Sequence, residues 1–222
     1  ELPGGGAIPP GTFVPVAERY GLMTKIGRWV LRTACAQLAE WQREGAAQEL
    51  MVHVNLSAPE LLDPDLLGCV VDTLQETGVD PERLSLEVTE DAIRAGGSTA
   101  ERNLNSLDDI GVRLTLDDFS TGSTIQALTK YHFDYAKISR GLIGGMDSPV
   151  HRARLIRGLL GMAKALGTTL IAEGIEQNEE IDRIAALGLV QIQGYATGRP
   201  VSGAELGRRL QAGPAWGQSI SV

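Results

Sequence analysis

Apolar residues recur along this chain with two alternating periods. Positions three or four residues apart predict four helices that each end before a glycine, at residues 64–77, 101–110, 155–166 and 181–187. After each of these glycines, which can take the left-handed conformation that favours a helix end, a short apolar run predicts a strand. The predicted strands are MVHVN to Asn55, LSLEV to Val88, VRLTL to Leu116, TLIAE to Glu173 and LVQIQ to Gln193, with a short DYAKIS segment around Lys137.

Polar side chains concentrate at the carboxyl ends of these strands. They are Asn55, Glu87, Asp117, Asp118, Lys137, Glu173 and Gln193. Alternating strands and helices predict a parallel sheet with helices outside, and in a (β/α)8 barrel the carboxyl ends of the strands converge on one mouth. We therefore predict an α/β fold, a TIM-like (β/α)8 barrel with its site at that mouth. Six strands are visible, so the first strand or strands of the barrel are expected to lie outside this chain.

Composition sets limits on the class of protein. With 43% apolar and 22% charged residues, the chain is predicted to be one globular domain over residues 1–222, with a Gly/Pro-rich lead at 1–11 and a flexible tail at 212–222. It shows neither an eighteen-residue apolar run nor a leader pattern, which favours a cytoplasmic protein or the cytoplasmic part of a larger one. Cys35 and Cys69 lie in apolar helical patterns without metal-type spacing and are predicted to be reduced core residues.

The net charge of −8 limits the partners. A long nucleic acid needs a basic surface, so this charge argues against such a partner. A smaller phosphate ligand would have to meet positive charge that is supplied locally.

Seven motifs then connect these observations to a family. FVPVAERYGLMTKIGRWVL, VNLS, LSLEVTE, LTLDDFSTG, KIS, IAEGIE and IQGYATGRP occur in this order between Phe13 and Pro200. Their order and spacing resemble those of the EAL family of bacterial cyclic di-GMP phosphodiesterases, whereas P-loop and Rossmann signatures are absent. The resemblance implies a modified TIM barrel with two divalent cations, Mg²⁺ or Mn²⁺, that cleaves cyclic di-GMP to linear pGpG. A homodimer and fused upstream sensory or GGDEF domains are further partners that it suggests.

The resemblance also assigns metal ligands. By matched position they are Asn55, Glu87, Asp117, Asp118 and Glu173, with Asp117 as the bridging residue. Two cations about 3.5 to 4 Å apart would convert adjacent carboxylates from a repulsive pair into a favourable site, and would activate a water for in-line attack on phosphorus. Oxygen ligands suit Mg²⁺ or Mn²⁺ better than a thiolate-binding metal.

Four further residues match catalytic or supporting positions of the family. Lys137 would hold the attacking water or offset charge in the transition state. Glu176 and Gln193 would orient water, and Glu90 would anchor the loop that follows Asp118. Taken singly, Glu90, Glu176 and Gln193 are better explained as helix caps or solvated loop residues.

Two other residues have alternative readings. His53 has the same strand parity as Asn55, yet a hydrogen-bonded core histidine is the favoured reading. Lys137 alone would suit a Schiff-base aldolase, but neighbouring carboxylates raise the pKa of a lysine and so oppose that chemistry.

Three departures from the family pattern leave a second function open. Ser120 and Ser123 replace a glycine and a tyrosine in the loop after the two aspartates, and Ser139 replaces an acid. In the family that loop links the site to a dimer interface. The Glu-Ala-Leu strand, with one metal-binding glutamate and a nearby arginine, is absent by truncation, by disorder or by evolutionary loss. The alternative to a phosphodiesterase is therefore a catalytically inactive EAL-like receptor for cyclic di-GMP or a protein-interaction scaffold.

Overall fold

The computed structural model describes residues 8–45, 48–119, 122–144, 149–189, 191–212 and 219–221. Its first half contains α1 (Pro10–Arg19), α2 (Met23–Arg43), β1 (Met51–Asn55), α3 (Ala58–Leu61), α4 (Leu66–Thr77), β2 (Leu84–Thr89), α5 (Glu90–Asp109) and β3 (Arg113–Phe119). Its second half contains α6 (Gly122–Lys130), β4 (Tyr135–Ile138), α7 (Arg140–Gly144), α8 (Pro149–Leu166), β5 (Thr169–Glu173), α9 (Asn178–Ala185), β6 (Gln191–Gln193), α10 (Gly203–Gln211) and β7 (Ser219–Ser221). All six predicted strands are present.

The strands form one parallel sheet in the order β6-β5-β4-β3-β2-β1-β7. With helices between successive strands, this sheet is part of a TIM-like barrel, which confirms the predicted fold class. The seventh strand, residues 219–221, falls within the segment predicted as a flexible tail. It pairs with β1, whose edge would otherwise present unpaired backbone groups. The predicted number of six strands is therefore wrong, because the sheet has seven in the part of the chain that the structure describes.

Two other boundaries differ from the sequence prediction. Helix α1 begins at Pro10, inside the predicted Gly/Pro-rich lead, because proline is well suited to the first turn of a helix. Helix α5 begins at Glu90, since the Thr89 side chain accepts the backbone N–H of Ala92 and caps the helix. It is kinked at Gly97, which has φ 51°, and the helix predicted over residues 101–110 lies within its second segment. The predicted left-handed glycines are confirmed at the four helix ends, Gly78, Gly111, Gly167 and Gly188.

Register gives the sheet one apolar and one polar face. Apolar residues such as Val54, Leu86 and Leu116 are at most 3% exposed and belong to the core under the helices. Successive side chains of a strand point to opposite faces, so the alternate positions form the other face. On that face polar residues are neighbours, since His53 pairs with Ser85 and Asn55 with Glu87 across β1 and β2. The predicted site lies at the carboxyl ends of the strands on this polar face.

The two cysteines are buried and free, as predicted for core residues. Within the described residues, no helix combines the length and the apolar character needed to cross a membrane.

Candidate active site

A bulge at the end of β3 explains how two adjacent acids serve one site. Leu116 pairs with Ala136 and Phe119 with Ile138, so β3 uses one residue more than β4 over the same interval. Within this bulge Asp118 has φ 58°, a left-handed conformation that is uncommon for a residue other than glycine, and its N–H donates to Asp117 Oδ1 over 2.9 Å. In a regular strand Asp117 and Asp118 would point to opposite faces.

Glu173, at the end of β5, completes an acidic cluster with these two residues. One oxygen from each of Asp117, Asp118 and Glu173 lies within 4.8 Å of the other two. Burial, aided by neighbouring negative charge, raises the pKa of both Asp117 and Glu173. A shared cation would lower the mutual repulsion of three carboxylates this close.

Glu87 is more deeply buried than these three acids and forms an ion pair with Lys137. Its Oε2 accepts Lys137 Nζ at 2.5 Å, and both side chains are about 3% exposed. His53 Nδ1 lies 3.2 Å from Glu87 Oε1, and the 2% exposure of His53 agrees with the core reading. Burial would raise the pKa of Glu87, but His53 and Lys137 outweigh burial and lower it. Glu87 is therefore held as a carboxylate.

One buried oxygen at this end of the sheet lacks a donor. In the part of the chain that the structure describes, Gln193 Oε1 accepts no hydrogen bond, and Glu87 Oε1 has His53 Nδ1 at 3.2 Å as its neighbour. Gln193 pairs in register with Glu173, and Glu87 with Asn55, whose side chain is exposed at the end of β1. An unsatisfied oxygen next to a carboxylate cluster fits an oxygen-binding divalent cation. The ligand roles of Asn55 and Glu87 stay predictions, because neither belongs to the three-residue cluster.

Glu176 and Glu90 lie at the rim of the site. Glu176 is about half exposed and pairs with Arg140 over 2.8 Å, while Glu180 Oε1 lies 3.8 Å from the same guanidinium. Glu90 begins α5, and its carboxylate is 3.9 Å from Arg94. Their predicted roles in orienting water and anchoring the loop stay predictions.

The departures from the motifs are only partly described. Residues 120 and 121 lie outside the described residues, as does the side chain of Ser123. Ser139 is half-buried, directly after β4 and two residues beyond Lys137.

Three contacts near the site were not found from the sequence. The ion pair of Arg140 with Glu176 and the approach of His53 to Glu87 join residues far apart in the chain, so no local pattern announces them. Arg199 lies over the ring of Tyr195 at 4.8 Å. Arg199 is part of the last sequence motif, IQGYATGRP, but the motif alone does not indicate its contact with Tyr195.

Comparisons with known proteins agree with this geometry. The family model for the EAL domain matches residues 1–200. An uncharacterized signaling protein of Caulobacter vibrioides is 39% identical over 88% of this chain and 24% of its own length. The bifunctional diguanylate cyclase/cyclic di-GMP phosphodiesterase MucR of Pseudomonas aeruginosa is 32% identical over 93% of this chain and 30% of its own length. The chain thus spans a quarter to a third of these curated relatives.

Solved structures give the same result. A cyclic di-GMP complex of the PaMucR phosphodiesterase superposes with a TM-score of 0.83 at 32% identity, covering 93% of this chain and 83% of that one. The EAL domain of Xanthomonas citri FimX, in complex with the same nucleotide, gives 0.81 at 26% identity, with coverages of 88% and 77%. This chain belongs to the EAL domain family.

Proposed function

We propose that this EAL domain binds cyclic di-GMP and hydrolyses it to linear pGpG with two divalent cations, Mg²⁺ or Mn²⁺. The observation that carries the proposal is the β3 bulge, which brings Asp117 and Asp118 together with Glu173 at the carboxyl ends of the strands. The matching relatives support the substrate, because MucR is named for cyclic di-GMP phosphodiesterase activity. EAL domains are metal-dependent, and the cluster has the oxygen donors that Mg²⁺ and Mn²⁺ prefer.

The chain's own residues have distinct tasks in this proposal. Asp117, Asp118 and Glu173 would hold the cations, with Asn55 and Glu87 as additional ligands. Bound divalent cations would supply Lewis acidity and a coordinated water of lowered pKa. Lys137, held in a buried position by Glu87, would offset the negative charge that phosphate oxygens gain in the transition state. The amide of Gln193, with its unsatisfied oxygen, would orient water.

Hydrolysis tests the proposal directly. The protein, incubated with cyclic di-GMP and Mg²⁺ or Mn²⁺, should yield pGpG on chromatographic analysis, and EDTA should stop the reaction. Asp117→Asn should lower the rate by at least about 100-fold, because it removes one anionic ligand from the cluster. Asp72→Asn, which changes an exposed acid on α4, is the matched control and should retain full activity.

Stability separates loss of function from loss of fold. Burial already raises the pKa of Asp117, so neutralising it relieves repulsion, and the metal-free variant should unfold at or above the wild-type temperature. Full activity in Asp117→Asn, or pGpG formation in EDTA, would contradict the metal assignment.

The non-catalytic receptor is the second candidate. It is favoured by the pairing of Glu87 with Lys137, which satisfies one oxygen of a predicted ligand without a metal, and by Ser139 in place of the family's acid. Cyclic di-GMP binding without pGpG formation in Mg²⁺ and in Mn²⁺ would establish this function instead.

A further inference from the structure

A row of buried polar side chains begins at Glu87 on the polar face of the sheet. His53 Nδ1 lies 3.2 Å from Glu87 Oε1 and 3.5 Å from Thr115 Oγ1. Thr115 Oγ1 in turn shares a hydrogen bond of 2.7 Å with Ser85 Oγ. His53 is 2% exposed, and Thr115 and Ser85 are fully buried. The row therefore connects a predicted metal ligand to the interior of the sheet.

Strand pairing explains why these side chains share one face. His53 pairs with Ser85 across β1 and β2, and Glu87 pairs with Thr115 across β2 and β3. The ring of Tyr135, on β4, meets the His53 ring edge-on, with the two centroids 5.6 Å apart. The imidazole is thus fixed by residues of β2, β3 and β4.

The fold alone would favour an apolar side chain at position 53. The interior of a barrel of this kind is normally filled by branched apolar residues, and burying a polar ring costs free energy unless the ring finds a hydrogen-bond partner. Here the imidazole faces one oxygen of Glu87, whose other oxygen accepts Lys137 Nζ. A buried polar residue whose neighbour is a predicted metal ligand is better explained by the site than by the fold.

Glu87 has enough lone pairs to keep both of these contacts and also bind a cation. A carboxylate has about four lone-pair sites on its two oxygens, and His53 and Lys137 each face a different oxygen. Lys137 brings a positive charge to the carboxylate, whereas a neutral imidazole brings only a directed N–H. His53 can therefore fix the plane of the carboxylate without taking the place of a cation.

We propose that His53 is a positioning residue of the metal site, which donates its Nδ1–H to Glu87 Oε1 and so orients the Glu87 carboxylate toward a divalent cation. This inference rests on the proposed function, in which Glu87 is a ligand. Side chains that hydrogen-bond a metal ligand from behind typically change metal affinity by about 10- to 100-fold. His53 contacts no substrate atom in this role and acts only through Glu87.

Calorimetric titration of the protein with Mn²⁺ alone, without nucleotide, measures this role separately from hydrolysis. His53→Leu occupies the same space without a donor and should weaken Mn²⁺ binding by about 10- to 100-fold. His53→Asn places an amide where Nδ1 lies and should recover most of that affinity, whereas the amide of His53→Gln lies at the position of Nε2 and should not. His132→Leu, at an exposed histidine paired with Asp108, is the matched control and should bind like the wild type.

A double-mutant cycle separates positioning from a general effect on the fold. If His53 acts through Glu87, adding His53→Leu to Glu87→Gln should change Mn²⁺ affinity no further. His53→Asn and His53→Gln both bury an amide, so a difference in Mn²⁺ affinity between them reports the position of the donor. That comparison decides the question even where His53→Leu does not fold.

The outcomes separate the inference from the proposed function. Unchanged or tighter Mn²⁺ binding in His53→Leu, or equal affinities in His53→Asn and His53→Gln, would overturn the positioning role and leave the proposed function intact. The same loss with and without Glu87→Gln would show that His53 does not act through Glu87, and would also overturn the role. A wild-type protein that binds no Mn²⁺ would overturn the proposed function itself, and the inference with it.

Discussion

Gly27 on α2 is a position where one added methyl group should be costly, because it would meet a buried side chain. A Cβ at Gly27 would lie 1.5 Å from Glu60 Oε1 and 2.2 Å from Glu60 Cδ, distances at which one of the groups must move. Glu60 is 6% exposed, and its Oε2 accepts the Ser57 hydroxyl and, over 3.0 Å, the Ser57 N–H in a capping box. Gly27→Ala therefore forces Glu60 out of the contacts that begin α3.

The expected loss follows from three contributions. Disruption of the cap costs about 0.5 to 2 kcal/mol, and overpacking a buried site costs about 1 to 3 kcal/mol. Alanine recovers about 1 kcal/mol through its helix propensity, which leaves a net loss of about 0.5 to 4 kcal/mol. For a chain of this length, each kcal/mol lowers the melting temperature by roughly 2 to 4 °C.

Urea unfolding with a double-mutant cycle checks this reasoning. Gly68→Ala on α4 is the control, because a Cβ there meets nothing within 4 Å and the change should stabilise by about 0.5 to 1 kcal/mol. In Glu60→Ala the obstructing carboxylate is gone, so adding Gly27→Ala should cost little further, and the two changes should couple by at least about 1 kcal/mol. A Gly27→Ala protein as stable as the wild type, or strictly additive effects, would refute the steric argument.

Three more predictions concern buried ionisable groups. Lys137→Met should destabilise the protein by about 3 to 5 kcal/mol in urea unfolding, because it leaves Glu87 buried without its cation, while Lys130→Met at an exposed pair should change little. Burial raises the pKa of Cys35 to about 12, so its thiol should react with a disulfide reagent no faster than the protein unfolds. Burial, as the largest influence, also raises the pKa of Glu60 above its ordinary 4.5. As pH rises, the unfolded chain loses the Glu60 proton before the folded protein does. The free energy of unfolding of the wild type, relative to that of Glu60→Gln, should therefore fall as pH rises from 4.5 to the raised pKa and then level off. A difference between the two proteins that does not change with pH would contradict this prediction.

The sheet was predictable from local pattern, because each strand is an apolar run that ends at a polar residue. The parallel order then places those polar residues at one end, and the structure brings together Asp117, Asp118 and Glu173 in agreement with that expectation. Residues far apart in the sequence, such as Asp117 and Glu173, could be assigned to one site because the carboxyl ends of all the parallel strands lie at the same end of the sheet.

What the sequence did not reveal depends on contacts between distant segments. The bulge at Asp118 is visible only from the register of β3 against β4, and β7 only from its pairing with β1. The approach of Gly27 to Glu60 joins two helices through a single missing Cβ. Each of these three features depends on a segment that is distant in the sequence, so the local spacing of apolar residues does not indicate it. For this reason the sequence pattern assigns no role to Glu60 and places residues 219–221 in a flexible tail.

The buried acids of this chain differ in whether the fold satisfies them, and that difference separates structural from functional residues. Glu60 accepts two hydrogen bonds from Ser57 and so contributes to the start of α3. Asp117 is half-buried beside Asp118 and Glu173, on a backbone that holds Asp118 in a left-handed conformation, so like charges face it instead of hydrogen-bond donors from a cap. A neutral pair on a regular strand would avoid both the repulsion and the strain. Because folding alone gives no reason to keep that arrangement, its cost is itself an argument that the site binds a cation.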